Sequence, residues 1–241
     1  MTREDIAQYS YRYAGNWKAV EQAILQEEEN PYYTVYEPYI TYLDPEYPEE
    51  FRHLEYPPWV LFYRGNVAIL EKRKVTIVGS RKISERGEYY TKQVCAKLKK
   101  DFVLVSGLAK GVDAMVHQSC LEDGLTIAVI GSGLEVHYPR CNEKLYQQLS
   151  RNHLILSEWP GYVGVQKVHF PWRNRLLAAL GEKIIVTQAK SRSGTMITVQ
   201  EALQLGKDVY CLPYPLDEIE GSGCNQLIQE GASLYIEEVF E

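Results

Sequence analysis

The chain has 241 residues, 45% of them hydrophobic, and a formal net charge of −6, which fits one large globular domain or one domain with a small attachment. No apolar run reaches the ~18–20 residues that span a bilayer, and the first residues lack the apolar stretch of a signal peptide. We therefore expect a soluble, cytoplasmic protein with no membrane partner. Five scattered cysteines without C-x-x-C spacing argue against a disulfide framework and a structural zinc site.

The charge is unevenly distributed along the chain. Residues 1–60 carry a net charge of −8, which leaves +2 for residues 61–241. Between residues 161 and 195, six basic residues stand against one acid. An acidic total normally argues against a nucleic-acid partner. Because the acidity belongs to the N-terminal region, it does not exclude a basic groove in the rest of the chain.

The N-terminal region combines a rough helical pattern with a segment rich in tyrosine and proline. Up to residue 29 the apolar spacing predicts one or two short helices. From residue 30 to 58 the density of proline disfavours helices and central strands. We expect an extended segment whose rings pack on the following domain. The chain is thus divided into an acidic N-terminal region, residues 1–58, and a domain, residues 59–241.

After Pro58 the pattern becomes regular, with short apolar, β-branched runs that alternate with helix-like stretches. Gly181 and Gly206 stand where helix C-caps would fall. This alternation is typical of a parallel sheet covered by helices on both faces. The sequence predicts an α/β fold, an extended Rossmann-like, doubly wound and mostly parallel sheet. The predicted strands are 74–78, 102–105, 126–130, 154–156, 183–187 and 208–212.

Small residues that expose backbone amides follow four of these strands. In an open α/β sheet, ligands bind beyond the carboxyl ends of the strands, where glycine admits a phosphate and a helix N-terminus supplies N–H donors. Arg81, Lys110 and Arg192 add full charges. Neither G-x-G-x-x-G nor G-x-x-x-x-G-K-[ST] is present, so we expect a phosphate-bearing ligand and no dinucleotide or ATP cofactor. The loops are 79–81, 106–111, 131–133 and 191–195.

The segment 167–180 places cations beside aromatic rings. Single-stranded nucleic acid needs charge for its phosphates and flat apolar surfaces for its bases. Phe170 is the preferred stacking ring, since Trp172 follows Pro171 at a helix start and is as often a core residue. His169 either contacts a base or caps a strand end.

Asp113 and His117 stand four residues apart on one predicted helix face. Such a pair is more often a structural hydrogen-bonding arrangement than an acid–base or metal pair. We predict no catalytic residue and no metal site.

Six motifs follow one another in order. Together they resemble the family of the DNA-processing protein DprA, also called Smf, from about residue 40 to the C-terminus. They are Gly79-Ser80-Arg81, the segment 106–117, the segment 131–139 with Asn142, Phe170-Pro-Trp-Arg-Asn-Arg175, Ser193-Gly-Thr-Met-Ile-Thr198, and the segment 225–232.

The resemblance implies a homodimer that binds single-stranded DNA without cutting it. Family members protect incoming strands in natural transformation and load the RecA recombinase, displacing single-strand-binding protein. The resemblance places phosphate contacts on Gly79, Ser80 and Arg81, and the basic and stacking pair on Lys167 and Phe170. Further DNA-binding candidates are Lys110, Gly131, Ser132, Arg173, Asn174, Arg175, Ser193, Gly194 and Thr195. The implied dimer and RecA-facing surface comprises Asn225, Leu227, Ile228 and Ala232.

The chain departs from the family pattern at several points. We expect a reduced or absent SAM-like domain at the N-terminus and no C-terminal winged helix. Gln188-Ala189 takes the place of the usual Glu-Ala after the fifth predicted strand, and Pro213-Tyr214 takes the place of the usual Pro-Gly after the sixth.

Two other classes of function stay open. The first is a nucleotide phosphoribohydrolase of the lysine-decarboxylase-like type, which carries a glutamate directly after Gly-Thr. Here Met196 follows Gly194-Thr195, and Glu201, the nearest acid, lies too far along the helix to match that glutamate. The second is a protein-interaction scaffold with a vestigial site.

Overall fold

The computed structural model describes residues 1–29 and 33–236, and within these ranges nine strands form a single sheet. The sheet order is β1-β2-β6-β5-β4-β3-β7-β8-β9. The strands are β1 (Tyr39–Thr41), β2 (Val60–Gly65), β3 (Lys74–Gly79), β4 (Val103–Ser106), β5 (Thr126–Val129), β6 (Leu154–Ser157), β7 (Ile184–Gln188), β8 (Val209–Cys211) and β9 (Ser233–Leu234). The helices are α1 (Arg3–Arg12), α2 (Trp17–Leu25), α3 (Glu49–Arg52), α4 (Glu85–Leu98), α5 (Val112–Gln118), α6 (Glu143–Asn152), α7 (His169–Leu180), α8 (Thr195–Gln204) and α9 (Ser222–Gln229).

The predicted doubly wound sheet is confirmed. All six predicted strands occur, as β3 to β8, with their ends within two residues of the predicted ones. Each of these strands is parallel to its neighbours among the six. The chain builds β4, β5 and β6 outward on one side of β3 and then returns to place β7 and β8 on its other side. The order of the sheet therefore reverses at β3, which makes its carboxyl end the topological switch point.

Both faces of the sheet are packed, as the continuous apolar strands predict. In β5, Ile127 and Val129 belong to one hydrophobic core and Ala128 to another. Because successive side chains of a strand point to opposite faces, the two cores lie on opposite sides of the sheet.

Three strands add to the sheet beyond the prediction. β2 pairs antiparallel with β6, β1 pairs antiparallel with β2, and β9 pairs parallel with β8. Since β1 and β2 are neighbours, the sheet crosses the boundary placed between residues 58 and 59. The tyrosine-rich segment buries Tyr47 and Phe51, as expected of rings packed on the domain. Residues 30–32 of that segment lie outside the described residues.

Two capped helices precede the sheet. Thr2 and Asp5 form a capping box at α1, with the Asp5 amide donating to Thr2 Oγ1 at 3.2 Å and the Thr2 amide to Asp5 Oδ2 at 2.7 Å. Ile6 of α1 is buried in the same core as Val60 and Phe62 of β2. Helix α1 is thereby packed on the sheet, and α2 packs against α1.

Glycine ends the two helices that flank β7. Gly181 is the C-cap of α7, and Gly206, with φ of +67°, follows α8 in the left-handed conformation that favours glycine. Both lie where the sequence predicts helix ends. All five cysteines are free thiols. In the described part of the chain, no helix combines the length and apolar character needed to cross a bilayer.

Candidate functional site

A groove of about 690 Å³ opens at the carboxyl edge of the sheet, beside the switch point. The loops after β3 and β7 and the first turns of α7 and α8 form its walls; we call it the strand-end groove. It brings together most of the candidate residues of the sequence. Its lining includes Gly79, Ser80, Arg81, Lys167, Phe170, Arg173, Asn174, Lys190, Arg192, Ser193, Gly194 and Thr195.

The loop after β3 is fixed by backbone hydrogen bonds on both sides. The Ser80 amide donates to the Gln188 carbonyl at 2.7 Å, and the Ser80 carbonyl accepts from the Val112 amide at 3.1 Å. A Cβ atom on Gly79 would lie 2.6 Å from Val112 Cγ2 and 2.8 Å from the Gln188 oxygen. Only glycine fits there, because both neighbours are parts of packed elements. The Gly79 carbonyl accepts from Thr195 Oγ1 at 3.1 Å, which ties this loop to the start of α8.

Cations and rings meet at the mouth of the groove. The guanidinium of Arg81 lies over the ring of Phe170, and the ring of Tyr138 lies 5.8 Å from that of Phe170. Arg81 and Lys167 are exposed, and Phe170 is half-buried. The mouth therefore offers positive charge next to flat apolar surface.

Arg173 lies beneath this mouth and is 4% exposed. Its Nη1 donates to the Val129 carbonyl, and the carboxyl of Asp113 faces it. Burial lowers the pKa of Arg173 to about 10, and the charge of Asp113 opposes that shift. Burial also raises the pKa of Asp113. These two groups form a buried floor rather than an exposed cationic surface.

Asp113 and His117 serve structural hydrogen bonds, which is the interpretation preferred from sequence. Asp113 Oδ2 accepts from the Ala109 amide at 3.2 Å. Nδ1 of His117 lies 2.7 Å from Thr126 Oγ1. Burial lowers the pKa of His117 to about 3, so the imidazole is neutral at physiological pH. His169 is likewise internal, since its Nδ1 lies 3.2 Å from the Gly131 carbonyl and its ring stacks on Trp159.

Some candidates lie beside the groove rather than in it. Gly131, Ser132 and Lys110 line a smaller neighbouring pocket. The Ser132 hydroxyl donates to the Val136 carbonyl at 3.0 Å. Asn174, by contrast, lines the strand-end groove, and its Nδ2 lies 3.4 Å from the Gly194 carbonyl.

Arg175 does not face the groove, which corrects its place among the DNA-binding candidates. Its guanidinium forms a two-pronged ion pair with Glu158, at 2.6 and 2.9 Å, and both side chains are at most 5% exposed. Its Nε donates to the Tyr56 carbonyl at 3.0 Å. Trp172 joins the same cluster, because its Nε1 donates to Glu158 Oε2 at 2.9 Å. The charge of Arg175 is used inside the fold.

The predicted dimer and partner surface is partly internal, which is a second correction. Asn225 Nδ2 donates to the Tyr214 carbonyl at 2.8 Å, and Asn225 Oδ1 accepts from the Tyr214 amide at 2.9 Å. Leu227 is 7% exposed and belongs to the core. Ile228 and Ala232 are half-buried against that core. Asn225 and Leu227 therefore hold α9 in place: both polar atoms of the Asn225 side chain are bonded within the fold, and Leu227 has no side-chain surface left for a partner.

The two departures from the family pattern are also internal. The Gln188 amide contacts Ser84, the N-cap of α4, through both of its polar atoms, at 2.6 and 2.9 Å. The Tyr214 hydroxyl donates to the Thr187 carbonyl at 2.5 Å. Neither side chain lines the strand-end groove.

The groove also contains residues to which the sequence assigned no binding role, among them Tyr138 and Lys190. Tyr138 is 48% exposed and stands in a quoted motif, but a motif does not show which way a ring points. Lys190 follows β7 and its ammonium lies 3.0 Å from Glu220. Among the described residues, no group of three or more His, Cys, Asp or Glu side chains is arranged to hold a metal ion.

Comparison with known proteins identifies relatives over most of the chain. A family model described as DNA recombination-mediator protein A matches residues 38–241. The chain is 42% identical over 198 residues to DNA processing protein DprA of Streptococcus pneumoniae, which covers 82% of this chain and 70% of that protein. Over 204 residues it is 39% identical to DprA of Bacillus subtilis, covering 81% of this chain and 68% of that protein.

Two solved structures are similar along most of their length. The X-ray structure of DprA from Streptococcus pneumoniae covers 97% of this chain and 90% of its own, with a TM-score of 0.81 and 35% identity. DNA processing protein A from Helicobacter pylori, the subject of a structural study of its single-stranded DNA binding mode, covers 85% of this chain and 94% of its own, with a TM-score of 0.77 and 32% identity.

Proposed function

The chain belongs to the family of DNA recombination-mediator protein A, and on that premise we propose that it binds single-stranded DNA in the strand-end groove. Membership confirms the resemblance drawn from the six motifs. Its role is that of a recombination mediator in DNA processing. The binding mode described for the Helicobacter pylori relative supports the choice of single-stranded DNA as the ligand.

The observation that carries the proposal is the arrangement at the groove mouth. Arg81 lies over the ring of Phe170, and Lys167 lines the same groove. Cations beside a partly exposed ring serve both parts of a nucleotide, since charge binds the phosphate and the ring stacks on the base. The N-terminus of α8, which lines the same groove, adds backbone donors for phosphate oxygens.

The groove supports binding without cleavage. Asp113 is the one carboxyl group among the described lining residues, and it is buried against Arg173 and the Ala109 amide. Glu201, the acid considered for the phosphoribohydrolase alternative, lies in a separate groove with Trp172. No carboxylate is thus free to act on a glycosidic or phosphodiester bond in the strand-end groove.

The finer steps of the function rest on the family resemblance. We propose that the protein, as a homodimer, protects incoming strands in natural transformation and loads RecA on them while displacing single-strand-binding protein. Residues 59–241 carry the groove. Of the residues predicted to face a partner, Ile228 in α9 and Ala232 after it remain available for that contact. RecA-dependent strand exchange on a strand covered with single-strand-binding protein tests the loading step.

A mobility-shift assay tests the groove itself. We expect the double variant Arg81→Ala, Lys167→Ala to lose single-strand binding at physiological salt. The control is Lys100→Ala with Arg151→Ala, which removes two exposed charges elsewhere on the surface. If the first variant bound as tightly as the control, the strand-end groove would not be the DNA site.

A further inference from the structure

Three exposed cations stand beside the strand-end groove without an ion-pair partner among the described residues. They are Lys110 in the loop after β4, Arg140 in the turn after β5, and Lys144 in the first turn of α6. We call these three residues the basic strip. Lys110 lines a small pocket together with Arg81 and Tyr138, both of which also line the strand-end groove. The strip is therefore continuous with the groove mouth.

One buried side chain holds the two loops of the basic strip together. Asn142 Nδ2 donates to the Leu108 carbonyl at 3.0 Å and to the Ala109 carbonyl at 3.2 Å. This ties the turn that begins with Arg140 to the residues that precede Lys110. Because β4 and β5 are parallel neighbours, their following loops open at the same edge of the sheet as the groove. The backbone that carries these cations is thus fixed by the fold.

The acids close to the basic strip in sequence are directed elsewhere. Glu143 Oε1 lies 2.7 Å from His137 Nδ1 and accepts from Gln147 Nε2 at 3.0 Å. Glu135 lies beside Gly161, since its Cγ is 3.1 Å from the place of a Cβ atom on that glycine. The strip thus keeps its positive charge for a ligand.

The opposite side of the strand-end groove carries the other charge. A second groove of about 450 Å³ lies there between α7, α8 and the segment after α3; we call it the acidic groove. It shares Pro171 and Ile197 with the strand-end groove, and its lining includes Glu55 and Glu201. Neither carboxylate forms an ion pair with a described residue. Arg175, which also lines the acidic groove, is already paired within the fold.

The two sides are not equivalent for a single strand, which carries a negative charge on every phosphate. A phosphate that is neutralised by a free cation releases counterions and gains affinity, whereas a phosphate beside a free carboxylate is repelled. At physiological salt these interactions are screened beyond about 8 Å. Only phosphates that pass directly over one of the two sides are therefore affected, and the strand has a preferred side on which to leave the groove.

We propose that a bound single strand leaves the strand-end groove over Tyr138 and continues along the basic strip, where Lys110, Arg140 and Lys144 bind its phosphates. The strand does not leave over Pro171, because the carboxylates of the acidic groove repel it there. The proposal rests on the proposed function, since the strand must first occupy the strand-end groove. The groove holds one part of the strand, and the strip extends the length of strand that the protein covers.

Strand length separates the basic strip from the groove. Arg140→Gln with Lys144→Gln is titrated over a range of salt concentrations with oligothymidylates of about six and about 16 nucleotides, which fall within the site sizes of single-strand-binding domains. The matched control is Lys72→Gln with Lys100→Gln. It removes the same charge from two exposed positions that precede β3 and β4, at the opposite edge of the sheet.

The expected result depends on length. With the long strand, the strip variant should lose two phosphate contacts, and its slope of log K against log salt should be shallower than that of the control by about 1.4. With the short strand, which the groove holds alone, the two variants should not differ. Equal slopes with the long strand, or the same change with both strands, would overturn the proposal. Failure of the unaltered protein to bind either strand would instead contradict the proposed function.

A thiol of the protein reports the direction of the strand. Cys141 follows Arg140 and is exposed, whereas the other four cysteines are buried. A long strand with a thiol-reactive disulfide at its 5′ or its 3′ end is mixed with the unaltered protein. The comparison is the double variant Cys141→Ser, Gln204→Cys, which moves the exposed thiol to the acidic groove. Each exchange rate is divided by the rate with a small disulfide that carries no DNA, so that thiol reactivity cancels.

We expect exchange at Cys141 to be accelerated for one of the two strands, and exchange at Gln204→Cys to be accelerated for neither. Arg81→Ala with Lys167→Ala should remove the acceleration, because the strand is then no longer held in the groove. Acceleration at Gln204→Cys that equals or exceeds that at Cys141 would overturn the proposed direction, as would no acceleration at Cys141 with either strand.

Discussion

The guanidinium carbon of Arg81 lies 5.4 Å from the centroid of the Phe170 ring. Arg81 follows β3, whereas Phe170 stands in the first turn of α7, far along the chain. The two meet because α7 packs across β3 and leads into β7, the neighbour of β3 in the sheet. The doubly wound topology thus creates a place where a cation and a ring face one ligand.

Phe170 should contribute to DNA affinity through its flat ring. We expect Phe170→Leu, which keeps an apolar side chain against Gly131, to weaken single-strand binding about tenfold or more, because base–aromatic stacking contributes about 1–3 kcal/mol per base. Fluorescence anisotropy with a labelled oligonucleotide measures the change. Tyr89→Leu, at a ring on α4 that is 60% exposed, is the control. Equal affinities of the two variants would contradict a stacking role.

Arg81 should set part of the salt dependence of binding. For single strands, the slope of log K against log salt is about −0.7 for each neutralised phosphate. Arg81→Gln should therefore make the slope shallower by about 0.7, whereas Lys100→Gln should leave it unchanged. Binding is titrated over a range of salt concentrations. A loss of affinity with an unchanged slope would mean that Arg81 contacts a base or supports the fold.

Arg175 should contribute to the stability of the fold and not to DNA affinity. It forms a buried ion pair with Glu158, so Arg175→Met leaves a carboxylate buried without its partner. Removal of one member of a buried pair destabilises by about 3–5 kcal/mol. Urea unfolding measures this loss, and Arg175→Met with Glu158→Gln should recover part of it. Below the unfolding transition, the DNA affinity of the variant should stay near that of the unaltered protein. A loss of affinity without any loss of stability would show that Arg175 contacts DNA.

The shared edge of the four loops was predictable, and the direction of individual side chains was not. Continuous apolar strands predict a parallel sheet, and parallel strands carry their following loops to one edge. Strand β2 escaped prediction because it pairs antiparallel with β6, a partner far along the chain, and β1 escaped with it because it pairs with β2. Pairing at that distance leaves no local signal in the sequence.

Arg173 and Arg175 show the same limit within the candidate site. Both belong to one motif with the same charge, yet Arg173 reaches the groove floor and Arg175 turns to Glu158. Their side chains leave α7 in different directions, which are set by how the helix packs. The number of charges in a segment carries no information about that packing. Asn225 and Leu227 are a further case, since a motif that resembles a partner surface is used here to hold α9 on the core.

His117 should make the protein less stable in acid. Its Nδ1 contacts Thr126, its Nε2 has no partner among the described residues, and His153 and Arg173 lie near enough to oppose a positive charge. The pKa of His117 is about 3 in the folded protein and 6.5 in the reference state. Between these pH values the unfolded chain binds a proton that the folded protein does not. The free energy of unfolding therefore falls as pH falls from 6.5, by about 1.4 kcal/mol per pH unit for this group, and its contribution levels off below pH 3.

Urea unfolding of the unaltered protein and of His117→Gln, between pH 7 and pH 4, measures this contribution. The variant loses a hydrogen bond and is less stable at pH 7, but its stability should depend less steeply on pH, by about one bound proton. His153, whose pKa burial also lowers, should account for part of the slope that remains. His53→Gln, at an exposed imidazole after α3, is the control and should keep the original slope. If His117→Gln kept that slope as well, the imidazole of His117 would gain its proton equally in both states, and its burial would not govern acid stability.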